Sequence, residues 1–283
     1  MGWKNPEVVL VTGASDGIGA ALARAYAAPG ITLGLLGRDE VRLKQVEEEC
    51  RALGASTEKL VADVIAKETE AVILGFDRRH PVDLLIVCAG VTSGVSEADG
   101  LEPWDTAEQG AETNFMGALR SIGPLANVMA LRGQGQIAGI GSLAALTPMP
   151  SCPAYSAAKA GFETYLLSLR RLLASRGVRV NVISLGYVET RMSQQLSGRK
   201  PFLTTPDDIA MRIRKALRGN PARMSYPLVL SVGIRLLNVL PERLALLILP
   251  AFAFTISRRG AKGRPAAAGT GRGEKGLPVL PVF

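Results

Sequence analysis

The sequence predicts an α/β fold, a doubly wound parallel sheet in a single domain with a hydrophobic helical C-terminal extension. Three observations carry this expectation. Short apolar runs alternate with amphipathic runs of helical length as far as Ser184. The short runs are apolar almost throughout, as strands covered on both faces are, rather than at every second residue. A glycine-rich turn closes the first run and opens a helix, at the strand end where such sheets bind ligands.

Taken in order, strands are expected at 8–12, 31–36, 57–62, 83–88, 136–140 and 178–184, and helices at 18–28, 40–53, 67–78, 106–131 and 154–176. Right-handed crossovers between parallel strands then build the two-sided sheet. After Ser184, Pro206-Asp207-Asp208 starts a helix to about Arg218, with acids at its positive end. Residues 226–256 are strongly apolar but interrupted by Pro227, Pro241 and Pro250. The longest charge-free run, 244–257, falls short of the roughly 20 residues a spanning helix needs. The expected division is therefore a catalytic domain over 1–224, a hydrophobic helical extension over 225–257 and a basic tail over 258–283.

Composition narrows the function. The 283 residues are 47% hydrophobic and 20% charged, which excludes a mostly disordered chain. Cys50, Cys88 and Cys152 lie far apart and His80 is the single histidine, so neither a Cys/His metal site nor a histidine triad is expected. The formal charge of +8 is concentrated in the tail, where six Lys/Arg accompany the lone acid Glu274. The body is nearly balanced, and no nucleic-acid partner is expected. Residues 1–7 do not read as a signal peptide, and a reducing cytoplasm is the expected compartment.

The glycine turn is Thr12-Gly13-Ala14-Ser15-Asp16-Gly17-Ile18-Gly19. Its glycines allow a tight turn and let main-chain amides and a helix N-terminus approach a pyrophosphate. Arg38 follows the second strand, 19 positions beyond Gly19. An arginine there suits the 2′-phosphate of NADP, whereas an acid would suit the ribose hydroxyls of NAD. NADP is the expected cofactor, and the neighbouring Asp39 keeps NAD open.

Tyr155 and Lys159 stand four residues apart on one expected helix, so they share a face. A nearby cation stabilises phenolate and lowers a phenol's pKa, as acid–base work near neutral pH requires. Ser142 stands just after the fifth strand, and Asn114 lies inside a long helix where asparagine is a poor former. Each also has a structural reading: Ser142 as a helix cap, Asn114 as a kink or an exposed amide.

Together these residues resemble the short-chain dehydrogenase/reductase family over residues 8–190. The ordered matches are Thr12–Gly19, Asp63-Val64, Cys88-Ala89-Gly90, Asn114, Ser142 and the Tyr155/Lys159 pair. The resemblance implies a Rossmann fold and hydride transfer between a nicotinamide and a carbonyl or secondary alcohol, without a metal. It implies Tyr155 as general acid/base, Ser142 as hydrogen-bond donor to the substrate oxygen, and Lys159 as tuning cation and ribose ligand. Asn114 would hold a water in a proton relay. Asp63 and Val64 would meet the adenine, Ala89 and Gly90 the ribose, Ile18 and Val188 the nicotinamide, and Thr190 its carboxamide or the pyrophosphate. Val87-Cys88 replace the family's two asparagines and Leu185 its usual proline, which puts one strand-bracing hydrogen bond in doubt. A catalytically silent dinucleotide-binding scaffold and a nucleotide-sugar-modifying enzyme are the competing readings. The first commonly lacks the tyrosine or lysine, and the second has a different glycine spacing.

Two expectations concern partners. The family is commonly dimeric or tetrameric, and Phe162, Tyr165, Leu166 and Leu169 on the 154–176 helix suggest a second apolar side for a homodimer or homotetramer. The apolar segments 228–240 and 244–256, followed by Arg258-Arg259, would either lie on an anionic membrane, at its inner face, or cap the substrate pocket or an oligomer core.

Overall fold

A computed structural model of the protein describes residues 5–96, 100–241, 244, 247 and 255–256. The basic tail and most of the second apolar segment lie outside the described residues. Seven parallel strands form the main sheet: β1 (Val8–Thr12), β2 (Thr32–Gly37), β3 (Ser56–Val61), β4 (Leu84–Val87), β5 (Gly135–Ser142), β6 (Val178–Leu185) and, numbered after the short β7 (Leu196–Ser197), β8 (Arg223–Tyr226). Their spatial order is β3-β2-β1-β4-β5-β6-β8. The intervening helices are α1 (Gly17–Tyr26), α2 (Glu40–Ala52), α3 (Thr69–Arg79), α4 (Trp104–Ala111), α5 (Ala118–Arg132), α6 (Pro153–Leu173), α7 (Arg191–Gln194) and α8 (Pro206–Arg218). After β8 come α9 (Leu228–Leu237) and β9 (Thr255–Ile256), which pairs antiparallel with β7.

The apolar strands split their side chains between two cores because successive residues point to opposite faces. Val9, Val11, Leu33, Leu35, Leu84 and Ile86 meet Leu22 of α1, Leu43 and Val46 of α2, and Ile209 and Ile213 of α8. Leu10, Leu36, Leu85 and Val87 meet Ile73 and Phe76 of α3, Ile122 and Leu125 of α5, and Phe162 and Leu166 of α6. A central strand clothed on both sides is mostly apolar at successive residues, and its polar exceptions, such as Thr12 and Ser184, are buried and hydrogen-bonded.

Three expectations need correction. The long helix expected at 106–131 is α4, then a π-helical turn over Glu112–Gly117, then α5. The wider turn coincides with Asn114, whose buried amide turns inward to bond the main chain of Val91. Strand β8 was not expected, because Arg-Met-Ser-Tyr carries no apolar run; it pairs with β6 at the sheet edge and crosses the expected boundary between residues 224 and 225. Phe162, Leu166 and Leu169, expected to offer a subunit face, are buried within the chain, with Tyr165 half-buried beside them. Helix α6 is apolar on two sides because it packs on β5 and β6 and also against α4 and the π turn.

The sheet reverses its winding between β1 and β4. There the Thr12 hydroxyl, fully buried, accepts hydrogen bonds from the main-chain N–H groups of Cys88 (3.1 Å) and Ala89 (3.3 Å). Thr12 thus supplies bracing at the strand end where the asparagines are missing. Thr12→Val keeps the shape and leaves both donors unpaired, so it should destabilise the protein by about 1–3 kcal/mol. Chemical denaturation would show a lower midpoint at unchanged slope, whereas an unchanged midpoint would remove this brace.

Candidate active site

Two clefts open at the carboxyl ends of the strands and meet where the winding reverses, as expected for this architecture. The first is lined by Gly13, Ser15, Asp16, Gly17, Ile18, Gly19, Arg38, Asp63, Val64, Ala89, Gly90 and Thr190. The second is lined by Asn114, Ser142, Tyr155, Lys159 and Val188 together with apolar side chains. Ile18, Cys88, Gly90, Thr190 and Met192 line both, so the clefts are continuous. Of the expected site residues only Thr12 reaches neither; it acts from beneath.

The glycine turn is shaped to lie close under a ligand. Gly13 and Gly17 have φ of 68° and 53°, a region side chains rarely adopt. A Cβ on Gly13 would sit 2.7 Å from the Ala89 Cα, and one on Gly19 would collide with the Gly13 carbonyl. Asp16 caps α1 through the Gly17 N–H at 2.7 Å. With positive helix end, stripped turn and cations at the far wall, the cleft fits the pyrophosphate and ribose of a dinucleotide.

Those cations are Arg38 and Arg42. Arg38 is exposed, with Nη1 3.7 Å from Asp63 Oδ2. Arg42, one turn into α2, also lines the cleft; it pairs with Asp39 at 2.6 Å and with Asp16 at 3.1 Å. Bonds from the Arg42 main chain and side chain hold the Asp39 carboxyl below its usual pKa. Asp39 is therefore occupied with capping α2 and pairing Arg42, and it does not line this cleft. Sequence reasoning missed Arg42, because Arg38 lies outside α2 and no helical spacing links the two.

At the second cleft, Ser142 ends β5, and its Oγ accepts the Ala144 N–H at 3.1 Å, which leaves its own proton free to be donated. Tyr155, in the first turn of α6, is the hydroxyl's partner across the cleft. Lys159 is buried; its Nζ donates to the Ile140 carbonyl at 3.0 Å and lies 5.9 Å from the Tyr155 ring centre. The phenol's pKa is not lowered in the protein alone. Burial pushes it up to about 12, against a lowering by the Ser142 hydrogen bond, and burial likewise lowers that of Lys159. The expected depression by the cation is not found: the dry pocket penalises phenolate, and the same burial disfavours the ammonium of Lys159. Asn114 receives the Val91 N–H at 3.1 Å and donates to the Val91 carbonyl at 2.8 Å, so it clamps the loop after β4. A Cβ on Gly90 would lie 2.7 Å from Asn114 Oδ1 and 3.6 Å from Lys159 Nζ, so the glycine leaves both within reach of one site.

The remaining wall is apolar: Leu143, Met149, Leu185, Met192 and Leu196, and from α9 Leu230, Ile234 and Leu237. Among the described residues, Lys159 alone brings a full charge to this lining. Helix α9, from the first of the two apolar C-terminal segments, lines the pocket through Leu230, Ile234 and Leu237. Its other side exposes Leu228, Val229, Val232 and Leu236. Among the described residues no helix is long and apolar enough to cross a membrane.

Comparison with known proteins agrees with this geometry. Residues 7–200 match the short chain dehydrogenase family model. The chain is 33% identical over 237 residues to an uncharacterized oxidoreductase of Myxococcus xanthus, covering 83% of this chain and 93% of that one. It is 31% identical over 242 residues to an uncharacterized oxidoreductase of Mycobacterium tuberculosis, covering 83% and 94%. Among solved structures, a single-residue variant of actinorhodin polyketide ketoreductase with NADPH superposes with a TM-score of 0.68 at 26% identity, covering 80% of this chain and 97% of that one. On the match to the family model and to these relatives, this chain belongs to the short-chain dehydrogenase/reductase family of NAD(P)-dependent oxidoreductases.

Proposed function

We propose that the protein is an NADPH-dependent reductase of uncharged, largely apolar ketones, working in reverse as a secondary-alcohol dehydrogenase. The observation that carries this reading is the junction of the two clefts, where Ser142, Tyr155 and Lys159 face an apolar chamber beside a dinucleotide-shaped groove. A bound nicotinamide supplies the hydride for reduction, or accepts it for oxidation. Ser142 donates to the substrate oxygen and fixes its position. Tyr155, protonated because its pKa lies near 12, gives its proton to that oxygen as negative charge develops. Lys159 supplies positive charge that stabilises the phenolate left behind and reaches the cleft beside Gly90, where a ribose would pass. The leucines and Ile234 of α9 line the chamber, and such apolar walls lower the polarity around these groups.

The choice of NADP rests on Arg38 and Arg42 at one end of the groove, with Asp39 turned to Arg42. The bound NADPH of the related ketoreductase supports the same choice. The apolar wall favours ketones without charge near the carbonyl. A 3-oxoacyl thioester would fit if its polar carrier stays outside.

Tyr155→Phe should lower kcat about a hundredfold or more in NADPH oxidation against a panel of apolar ketones, with NADPH affinity nearly unchanged. A variant with near-native turnover would overturn the assigned proton donor. Arg38→Ala should weaken NADPH binding about tenfold or more and leave NADH binding little changed. Equal affinities of the wild-type protein for the two cofactors, by calorimetry, would overturn the NADP assignment. Ile234→Asp should raise KM for apolar ketones about tenfold while NADPH affinity holds, because α9 lines only the second cleft. An unchanged KM would remove α9 from the substrate wall.

A further inference from the structure

A carboxylate with no part in the proton transfer lies directly beneath the catalytic face. Glu163 is one helical turn beyond Lys159 and two beyond Tyr155 on α6, on the side that packs against the sheet, and it is 2% exposed. Its Oε1 accepts the main-chain N–H of Ser142 at 3.1 Å and the Ser184 hydroxyl at 2.8 Å. Its Oε2 is paired with the Arg223 guanidinium, which also donates to Ser184 Oγ at 2.6 Å. Gly141 makes room for the carboxylate: a Cβ there would collide with Glu163 Oε1. Four elements thus converge on one buried ion pair: β5 through Ser142, β6 through Ser184, α6 through Glu163 and the edge strand β8 through Arg223.

We propose that the Glu163–Arg223 pair positions the catalytic serine and balances charge beneath the site. Glu163 fixes the main chain of Ser142, and Arg223 offsets part of the carboxylate charge that reaches Tyr155 and Lys159. The inference rests on the reading of Tyr155 as proton donor. Breaking a buried pair from one side leaves an uncompensated charge in a poorly screened interior. The groups facing the phenol are Lys159 and Glu163 on α6, Cys152 before it, Cys88 after β4, Ser142 at the end of β5 and Tyr187 after β6. Glu163, Cys88 and Cys152 all act to raise the phenol's pKa, and Glu163 also favours the ammonium of Lys159. Among these groups, only the Glu163 carboxylate has its own cation, Arg223, bonded directly to it.

Losing the Arg223 charge leaves a bare carboxylate and disfavours phenolate, so the phenol ionises at higher pH. Losing the Glu163 charge leaves a bare guanidinium and favours phenolate, so it ionises at lower pH. Glu163→Gln keeps an amide oxygen for the Ser142 N–H and changes charge with little change of shape.

The test is an NMR titration of full-length protein bearing ζ-carbon-labelled tyrosine with NADP⁺ bound, the Tyr155 signal being assigned by its absence in Tyr155→Phe. The midpoint should move down by about one unit in Glu163→Gln, up by a similar amount in Arg223→Gln, and return near wild type in the double variant. Arg223→Lys keeps the charge and should titrate like wild type. If Arg223→Gln does not fold, Glu163→Gln and Arg223→Lys decide by themselves. A Glu163→Gln midpoint at the wild-type value, or equal shifts in Glu163→Gln and Arg223→Lys, overturns the proposal. Reductase activity that survives Tyr155→Phe would instead overturn the assignment of the proton donor, which separates the two failures.

Discussion

Two strand ends are held against each other while the chain leaves them in opposite directions, and the site depends on that constraint. After β1 the chain winds to β2 and β3; after β4 it winds the other way to β5 and β6. A crevice must open between the departing loops. The buried Thr12 hydroxyl ties both loop bases together, and Gly13 lets its loop lie against Ala89 with no side chain between them. The dinucleotide groove and the apolar chamber are the two halves of that crevice. Their shared lining at Cys88, Gly90 and Thr190 lets a nicotinamide reach a carbonyl.

Burial sets the electrostatics of the chamber. Lys159 spends one hydrogen bond on the Ile140 carbonyl, and the Tyr155 phenol is held far above neutral. A phenol in that state is a proton donor by default, ready for reduction. Oxidation needs positive charge close by, and Lys159 with a bound oxidised nicotinamide supplies it. A second buried pair below, Glu163 with Arg223, links the catalytic serine to the edge of the sheet. Strand β8 is therefore more than an added strand, since it carries the cation that closes this network.

Helix α9 completes the chamber from a part of the chain with no counterpart in the sheet. Its apolar residues fall on more than one side, so Leu230, Ile234 and Leu237 can face the substrate while Leu228, Val229 and Val232 remain outside. The Asn238 side-chain amide donates to the Leu146 carbonyl and anchors the helix end to the loop after β5. Pocket shape is thus set by packing between remote segments rather than by local sequence pattern.

Local pattern was enough for much of this protein. Apolar runs buried on both faces, the turn from Thr12 to Gly19, and the one-turn spacing of Tyr155 and Lys159 are short-range features; they predicted the sheet, the cleft at its switch point and a shared helix face, while the roles of the pair came from the family resemblance. Strand β8 was illegible because Arg223–Tyr226 has no apolar period, and it becomes a strand only by pairing with β6. Asn114, which the resemblance made the holder of a relay water and which by itself read as a kink or an exposed amide, is turned by tertiary contact with Val91 into a buried clamp. Arg42 was not singled out in the sequence, because only folding brings it to the cleft that Arg38 and Asp16 also line. The phenol's pKa could not be read from a lysine four residues away, because burial is a property of the whole fold and here is the largest influence on it. Glu163 and Arg223 are 60 residues apart in the chain, and only the packing of α6 against β5, β6 and β8 makes them a pair.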